Sequence, residues 1–466
     1  MGAGIRFTDF HAMSVCTPSR ASLMTGRLGL RTGVVVNFWT DALYGLPLEE
    51  ITLPQKLKEA NYDTKIIGKW HLGHSKVGAN SGYHPTFRGF DEYTGIPYSV
   101  DMGCVNCLNY NLPAETPCPY DNATKPPDTG EPALPLYNST APYCTGHSSC
   151  NSDIVQQPVD LTELSNIYAA TATEYIHRHA NPNSNPFLLY VPFGHMHVPL
   201  SHDPKWTNTS ARNNVFGDTL MELDHTIGLI WQAIKDSGIS DNTLIILSSD
   251  NGFWGIKCDL AGTAGPWKGE YQSKLGGGST GKLSTWEGGH RVVGSATWAG
   301  KILPNQVSTA TVSTLDIFPT LLSLAGIPLP TDRVYDGYDI SPIFFNQATK
   351  VRDWLYHPNV QDGNFSTLRY LNYTGHFVTW GAPGCNQSQS PFITHNPPLI
   401  FDLSVDPAQS TPLTNPDPNL INLFMTEFTN IWYNITHTYR SITNYSQKIG
   451  NEPCCNANNA VCRCTE

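Results

Sequence analysis

Short apolar runs alternate with longer amphipathic stretches through the first three quarters of the chain. The run at 64–67 is short and apolar, and those at 187–191 and 244–247 are continuous; such runs are typical of strands buried on both faces of a largely parallel sheet. Helical patterns cover about 161–180 and 217–235. This alternation of strands and helices predicts an α/β fold, a doubly wound domain with a largely parallel sheet.

Two other segments interrupt this pattern. Residues 100–158 are rich in Pro, Asn, Thr and Cys and show no sustained period, so we expect an insertion pinned by disulfides over the active-site side. Beyond about residue 346, the runs at 368–371 and 399–403 predict antiparallel strands, and 419–439 has a helical pattern. No internal repeat is evident.

The predicted organisation is therefore two domains. Residues 1–345 form the α/β domain, with the insertion at 100–158 inside it. Residues 346–466 form a smaller C-terminal α+β domain that ends in a Cys-rich tail.

Polar side chains follow each of the three buried strands just past its carboxyl end. In open α/β sheets this edge is where ligands bind, so the polar residues there are the first candidates for a functional site. They are Lys69 and His71 after the first strand, His195 and His197 after the second, and Asp250 and Asn251 after the third.

Net charge and hydropathy argue against a nucleic-acid partner and against a transmembrane segment. The formal net charge is −11, which argues against a nucleic-acid partner. No apolar run reaches the length of a transmembrane segment; the nearest, 312–329, is interrupted by Asp316, Pro319 and Pro328.

Cysteines and glycosylation acceptors indicate an oxidising compartment. The spacing of Cys454, Cys455, Cys462 and Cys464, among twelve cysteines, does not match paired CxxC zinc sites, so disulfides are favoured over zinc there. Together with the acceptors, this composition favours a secreted or lysosomal glycoprotein. Asn-x-Ser/Thr triplets begin at Asn122, Asn138, Asn208, Asn364, Asn372, Asn386, Asn434 and Asn444.

The string from Cys16 to Arg27 reads CTPSRASLMTGR. On its own, it fits a small buried cysteine before a helix, with Pro18 near the first helical position. The whole string resembles the signature of the sulfatase family. The resemblance implies that a formylglycine-generating enzyme converts Cys16 into formylglycine, whose hydrate is the nucleophile, and that Arg20 holds that hydrate.

Two further strings resemble sulfatase motifs. In GKWHLG, the resemblance implies that Lys69 binds a sulfate oxygen and that His71 works beside the aldehyde; alone, the string would read as a surface lysine and a packed histidine. In HMHVPL, His197 matches the histidine that protonates the leaving group, while His195 is expected to be a neighbour that shapes the site.

The string SDNG resembles the family's metal-ligand pair. It implies that Asp250 and Asn251, together with residue 16, bind calcium or magnesium, although Asp-Asn-Gly is also a common turn. The string GKLSTWEGG supplies a second sulfate-binding lysine, Lys282. The string GIPYS resembles the arylsulfatase A branch of the family and implies that Ser99 contacts the sulfate.

The function implied is that of an arylsulfatase, a sulfuric ester hydrolase acting on a sulfated small molecule or on a glycolipid or glycan. Two alternatives stay open: a phosphodiester or phosphonate hydrolase of the same superfamily, and a non-catalytic secreted glycoprotein on a sulfatase scaffold. The sequence does not determine the oligomeric state.

The chain departs from the family pattern at its start. Family members carry two adjacent aspartates on a first strand, both metal ligands, and this chain contains no Asp-Asp pair. It also begins without a signal peptide. We therefore expect the front of the protein, with its signal peptide and first strand, to be missing from this sequence. The chain as given would then be inactive, and Asp9 is expected to be an ordinary residue rather than a ligand.

Overall fold

The structure is a computed structural model, and it describes residues 2–75, 82–105, 118, 133–141, 153–359, 365–456 and 462–464. The chain divides into two compact units, each built from two stretches. Unit 1 comprises Met1–Asn37 and Asp241–Ile442, and unit 2 comprises Phe38–Ser240 and Thr443–Glu466.

The strands and helices alternate as the sequence pattern indicates. The strands are β1 (Ile5–His11), β2 (Asp63–Ile67), β3 (Glu92–Gly95), β4 (Leu136–Thr140), β5 (Ile154–Gln156), β6 (Phe187–Tyr190), β7 (Ile245–Ser248), β8 (Arg291–Thr297), β9 (Gln306–Ser308), β10 (Val312–Ser313), β11 (Trp354–Pro358), β12 (Phe365–Tyr370), β13 (Tyr373–Thr379) and β14 (Ile393–Asp402). The helices are α1 (Cys16–Thr25), α2 (Gly29–Thr32), α3 (Leu53–Lys58), α4 (Leu164–Arg178), α5 (Val215–Asp236), α6 (Tyr271–Lys274), α7 (Glu287–His290), α8 (Ile317–Leu324), α9 (Ser341–Phe344) and α10 (Pro418–His437).

Helix ends follow local chemistry. The side chain of Asn214 accepts a hydrogen bond from the amide of Gly217 at the start of α5, and Asp417 caps α10 in front of Pro418. Helix α1 stops at Gly26, which adopts the left-handed conformation (φ 68°) and donates its amide to the carbonyl of Ser22.

Unit 1 contains two sheets. The first has the order β10-β1-β8-β7, with β9 also paired to β1; β1 is parallel to β9 and β10 and antiparallel to β8. The second is the antiparallel sheet β11-β12-β13-β14. Helix α10 covers this second sheet by packing Phe424, Ile431 and Ile435 into the core that includes Leu368 and Ile400.

Unit 2 is built around one sheet with the order β5-β4-β3-β2-β6. Strand β2 lies between β3 and β6 and is parallel to both, so the carboxyl ends of these three strands lie at one edge. Helix α4 packs on this sheet through Leu164, Tyr168 and Ala172, which share a core with Ile67 and Ile96.

The predicted α/β fold is confirmed, as are the antiparallel strands and the helix of the C-terminal region. The domain division at residue 345 stays a prediction. Most of the insertion at 100–158 lies outside the described residues, including Cys107, Cys144 and Cys150. Among the described residues, no helix combines the length and the apolar character that crossing a membrane requires.

Disulfides form as the composition predicted. Two of them, Cys454–Cys462 and Cys455–Cys464, use the C-terminal cluster for which zinc was the alternative. The others that the structure describes are Cys104–Cys118 and Cys258–Cys385. Of the glycosylation acceptors, Asn122 and Asn364 lie outside the described residues. The remaining six are exposed: Asn138, Asn208, Asn372, Asn386, Asn434 and Asn444.

Candidate active site

In unit 1, Cys16 is the first residue of α1 and is buried, with 1 % of its surface exposed. The side chain of Asn37 accepts a hydrogen bond from the amide of Thr17 at 3.0 Å, satisfying one of the amides that a helix start leaves open. The position is therefore rigid, and it lies at the positive end of a helix, where a developing negative charge is favoured.

Arg20 lies one helical turn after Cys16 and so shares its face of α1. Its Nε and Nη2 donate to Oδ2 of Asp250, at 3.1 and 2.7 Å. The Arg20 side chain is 6 % exposed and that of Asp250 is 29 % exposed. The structure thereby places Asp250, two positions after β7, beside the face of α1 that carries Cys16.

Within unit 1, the loop that carries Lys282 is hydrogen-bonded to the segment after β7 and to the segment before α1. The amide of Lys282 donates to the carbonyl of Phe253 at 2.6 Å, and the amide of Leu283 donates to the carbonyl of Ser14 at 2.7 Å. The Lys282 ammonium lies 4.3 Å from the ring centroid of Trp254. A fixed, buried cation is what recognition of a sulfate group requires.

Close backbone packing explains the glycines of these loops. A Cβ on Gly252 would lie 1.9 Å from the carbonyl oxygen of Gly288, and the amide of Gly252 donates to Gly289. The SDNG and WEGG strings therefore contact each other directly, and no side chain fits between them.

Asn251 offers an oxygen that fits a cation. Its Nδ2 donates to the carbonyl of Gly252 at 2.9 Å, while its buried Oδ1 has no hydrogen-bond partner among the described residues. An orphaned amide oxygen next to the carboxylate of Asp250 is a donor pair suited to a hard divalent ion. The two residues thus fit the metal that the sequence resemblance implies.

A cavity of about 690 Å³ opens in unit 1 next to Phe253. Its walls are the loops 277–280 and 384–388, and the disulfide Cys258–Cys385 ties the second loop to the segment after Asn251. Hydroxyls and an amide contribute polar groups, but most of the exposed lining is apolar.

In unit 2, the candidate residues follow the carboxyl ends of β2, β3 and β6, as the sequence pattern predicts. The amide of Lys69 donates to Pro192, and that of His71 donates to Pro97, so the segment after β2 is fixed between the segments after its two neighbours. Nζ of Lys69 donates to Oγ of Ser99 at 3.1 Å. Lys69 and Ser99 are both buried.

Backbone carbonyls fix the tautomers of two histidines in unit 2. Nδ1 of His197 lies 2.9 Å from the carbonyl oxygen of Val198, and Nε2 of His71 lies 3.2 Å from that of Phe38. A carbonyl only accepts, so each of these nitrogens carries a hydrogen. In each ring, the other nitrogen is then the one that can accept or give up a proton. It is Nε2 in His197 and Nδ1 in His71.

Two partners of these residues were missed by the sequence reasoning. Asp101 Oδ1 lies 3.7 Å from Nδ1 of His197, close enough to stabilise an imidazolium. Asn37 caps α1, although no motif contains it. The one signal for Asp101 is its position two residues after Ser99; Asn37 has none.

The His195 side chain is 4 % exposed, and its Nε2 lies 2.6 Å from Oγ of Ser165. Burial lowers the pKa of His195 to about 4, so its imidazole is neutral at physiological pH. This environment agrees with its expected role as a neighbour that shapes the site.

The structure brings the predicted residues together within each unit. In unit 1, helix α1 with the segment before it, the segment after β7 and the Lys282 loop are hydrogen-bonded to one another. They carry residue 16, Arg20, Asp250, Asn251 and Lys282. A second group in unit 2 is formed by Lys69, His71, Ser99 and His197.

Family models match almost the whole chain. The model described as sulfatase covers residues 2–327, and the model described as C-terminal region of aryl-sulfatase covers residues 350–464. Arylsulfatase G of Rattus norvegicus is 42 % identical over 473 residues, which cover 99 % of this chain and 86 % of that protein. Arylsulfatase A of Homo sapiens is 36 % identical over 422 residues, or 87 % and 76 % of the two chains.

Solved structures share the fold. The PsFucS1 sulfatase from Pseudoalteromonas sp. superposes with a TM-score of 0.78 at 24 % identity, covering 95 % of this chain and 85 % of that one. The phosphonate monoester hydrolase of Agrobacterium radiobacter has a TM-score of 0.57 at 15 % identity, covering 93 % and 89 %. At such identities these two matches concern the fold alone. From the family models and the arylsulfatase relatives, the chain belongs to the sulfatase family and is a sulfuric ester hydrolase.

Proposed function

We propose that this hydrolase acts through formylglycine derived from Cys16, with a divalent cation, calcium or magnesium, held by Asp250, Asn251 and residue 16. The observation that carries the proposal is the pair of hydrogen bonds from Arg20 to Asp250, because a carboxylate held beside the helix face of residue 16 supports a metal-ligand role for Asp250. The orphaned Oδ1 of Asn251 supports the cation.

Formylglycine and a bound cation would each supply defined chemistry. A hydrated aldehyde at position 16 would supply two hydroxyls on one carbon, one as the nucleophile for sulfur and one as the group that releases sulfate. A bound cation would neutralise charge on the sulfate oxygens and make a hydroxyl more acidic.

The chain's own residues do the rest. Lys69 and Lys282 hold sulfate oxygens with preorganised charge, and Ser99 keeps the Lys69 ammonium in place. His197 gives a proton from Nε2 to the leaving alcohol oxygen, with Asp101 stabilising its imidazolium.

Two further residues act on the nucleophile side. His71 takes a proton at Nδ1 when sulfate leaves. Arg20 orients Asp250 through its two hydrogen bonds.

The substrate proposed is a sulfated small molecule, or a glycolipid or glycan that carries a sulfate ester. We place the protein in the lysosome or outside the cell, after modification by a formylglycine-generating enzyme. Disulfides and exposed glycosylation acceptors support that compartment.

The test compares the full-length protein, as its gene encodes it, with its Cys16→Ala variant and with Met24→Leu, a volume-conserving control on the same helix. All are made in a secretory host that co-expresses the formylglycine-generating enzyme. Hydrolysis of 4-nitrophenyl sulfate should fall at least about a thousandfold in Cys16→Ala, as expected when a nucleophile is removed, and stay unchanged in Met24→Leu. Wild-type turnover by Cys16→Ala would contradict the proposal. Faster hydrolysis of bis(4-nitrophenyl) phosphate than of the sulfate would favour the phosphodiesterase alternative.

A further inference from the structure

Three histidines meet in the interior of unit 1, and none of them has a role in the proposed reaction. His11 ends β1, His290 ends α7 and His357 lies in β11. They are 0 %, 1 % and 3 % exposed, and one ring nitrogen of each lies within 4.8 Å of the others. Buried polar groups need partners, so the partners of these six ring nitrogens define what the cluster can do.

Acceptors fix the tautomers of His11 and His290. Nε2 of His11 lies 2.8 Å from the carboxylate of Asp9, and Nε2 of His290 lies 3.2 Å from the carbonyl oxygen of Thr285. Both acceptors require a hydrogen on Nε2. A carboxylate and a carbonyl on the far nitrogen are also the groups that orient metal-binding histidines.

The two remaining nitrogens then face each other. Nδ1 of His11 and Nδ1 of His290 are 3.0 Å apart. Two lone pairs at this separation repel, so either a proton or a cation must lie between them. The spacing is close to that of two nitrogens bound to one metal ion at about 2.0–2.1 Å each.

His357 supplies a third nitrogen. Its Nε2 is buried and has no hydrogen-bond partner in the part of the chain that the structure describes. Its ring stacks on that of His290, with centroids 3.5 Å apart and planes inclined by 11°. The ring must turn out of this stack for Nε2 to point between the other two nitrogens.

The charged side chains around the three histidines balance one another. The carboxylates of Asp9 and Glu287 are paired with Arg291 and Arg369, so these four formal charges cancel. A divalent ion that replaces the proton between His11 and His290 therefore adds one net charge rather than two. Glu287 belongs with Asp9 and His11 to a second group of close ligand atoms.

We propose that His11, His290 and His357 form a structural binding site for a zinc-type divalent ion, using Nδ1, Nδ1 and Nε2. Imidazole nitrogens select zinc and its first-row neighbours over calcium and magnesium, which take oxygen ligands. The site is thus chemically distinct from the Asp250–Asn251 pair. It joins β1 and α7 to β11 and so fastens the first sheet of unit 1 to the second.

The test measures metal in the full chain, purified without chelators from a secretory host. Zinc quantified by plasma mass spectrometry should reach about one ion per chain. Cobalt(II) replacing it should give the visible d–d absorption of nitrogen ligation. Zinc below about 0.1 per chain, after incubation with equimolar zinc and desalting, would overturn the proposal.

His357→Phe makes the test two-sided. Phenylalanine can keep the stack on His290 and removes the orphaned Nε2, so without a metal its melting temperature should equal or exceed that of the wild type. With a metal, the variant should lose the zinc and melt about 5–10 °C lower, and EDTA should lower the wild type to the same value.

His395→Phe is the control, because His395 lies in β14 outside the cluster; it should keep the zinc. If His357→Phe does not accumulate, the wild-type zinc content and cobalt spectrum decide. None of these readouts uses sulfatase activity, so a failure here is separate from a failure of the proposed function.

Discussion

Replacement of Arg20 by lysine tests the contact on which the proposed site depends. Lysine keeps the charge but has one donor group in place of the guanidinium fork that reaches Oδ2 of Asp250 at 2.7 and 3.1 Å. Loss of one charge-assisted hydrogen bond costs about 1.5–3 kcal/mol. Asp250 is partly exposed, so we expect the lower half of that range, about 1.5–2 kcal/mol, after solvent screening.

That energy corresponds to a decrease of about 10- to 30-fold in kcat/KM if the contact persists in the transition state. The assay is hydrolysis of 4-nitrophenyl sulfate, with thermal unfolding in parallel to separate catalysis from folding. Arg6→Lys is the matched control, since Arg6 is exposed on β1 and should leave kcat/KM unchanged. A kcat/KM within about twofold of the wild type in Arg20→Lys would refute the role given to this contact.

Three other outcomes follow from the structure. Lys69→Ala and Lys282→Ala should each lower kcat/KM for an aryl sulfate by about 2–4 kcal/mol in transition-state stabilisation, and unchanged kinetics would make them packing residues. Gly252→Ala should lower the free energy of unfolding by about 2–4 kcal/mol because its Cβ meets a backbone carbonyl. Gly228→Ala should raise it by up to about 1 kcal/mol because Gly228 has open space around it in α5. Denaturant unfolding measures both. His195 has its pKa lowered from 6.5 to about 4, so the unfolded state binds the extra proton and stability falls as pH drops through this interval. At pH 5 this amounts to about 2 kcal/mol, and a His195→Gln variant that keeps the wild-type slope of unfolding free energy against pH would contradict the assignment.

The elements that the sequence predicts are those with a strong local pattern. Strands β2, β6 and β7 coincide with the predicted apolar runs, although β6 and β7 are only partly buried rather than buried on both faces, and α4, α5 and α10 are long and amphipathic. Strands β5, β9 and β10 have two or three residues each and exist only because a partner strand pairs with them. Their sequences carry no period that could reveal them.

The candidate site likewise contains residues that the sequence predicts and residues that only the fold reveals. Its charged and nucleophilic residues lie in strings with recognisable spacing, and the sequence names them. Their partners are set by topology: Asp101 beside His197, and Asn37 at the start of α1. His11 and His290 are 279 positions apart and share no motif, so only the folded chain brings their rings together.

The central claim is that residue 16 becomes formylglycine. The most direct measurement is mass spectrometry of the tryptic peptide 7–20, which ends at Arg20, from protein made in a secretory pathway with the formylglycine-generating enzyme. The account predicts that most molecules carry the aldehyde or its hydrate at position 16. An intact, alkylatable thiol at Cys16 in most molecules would contradict it.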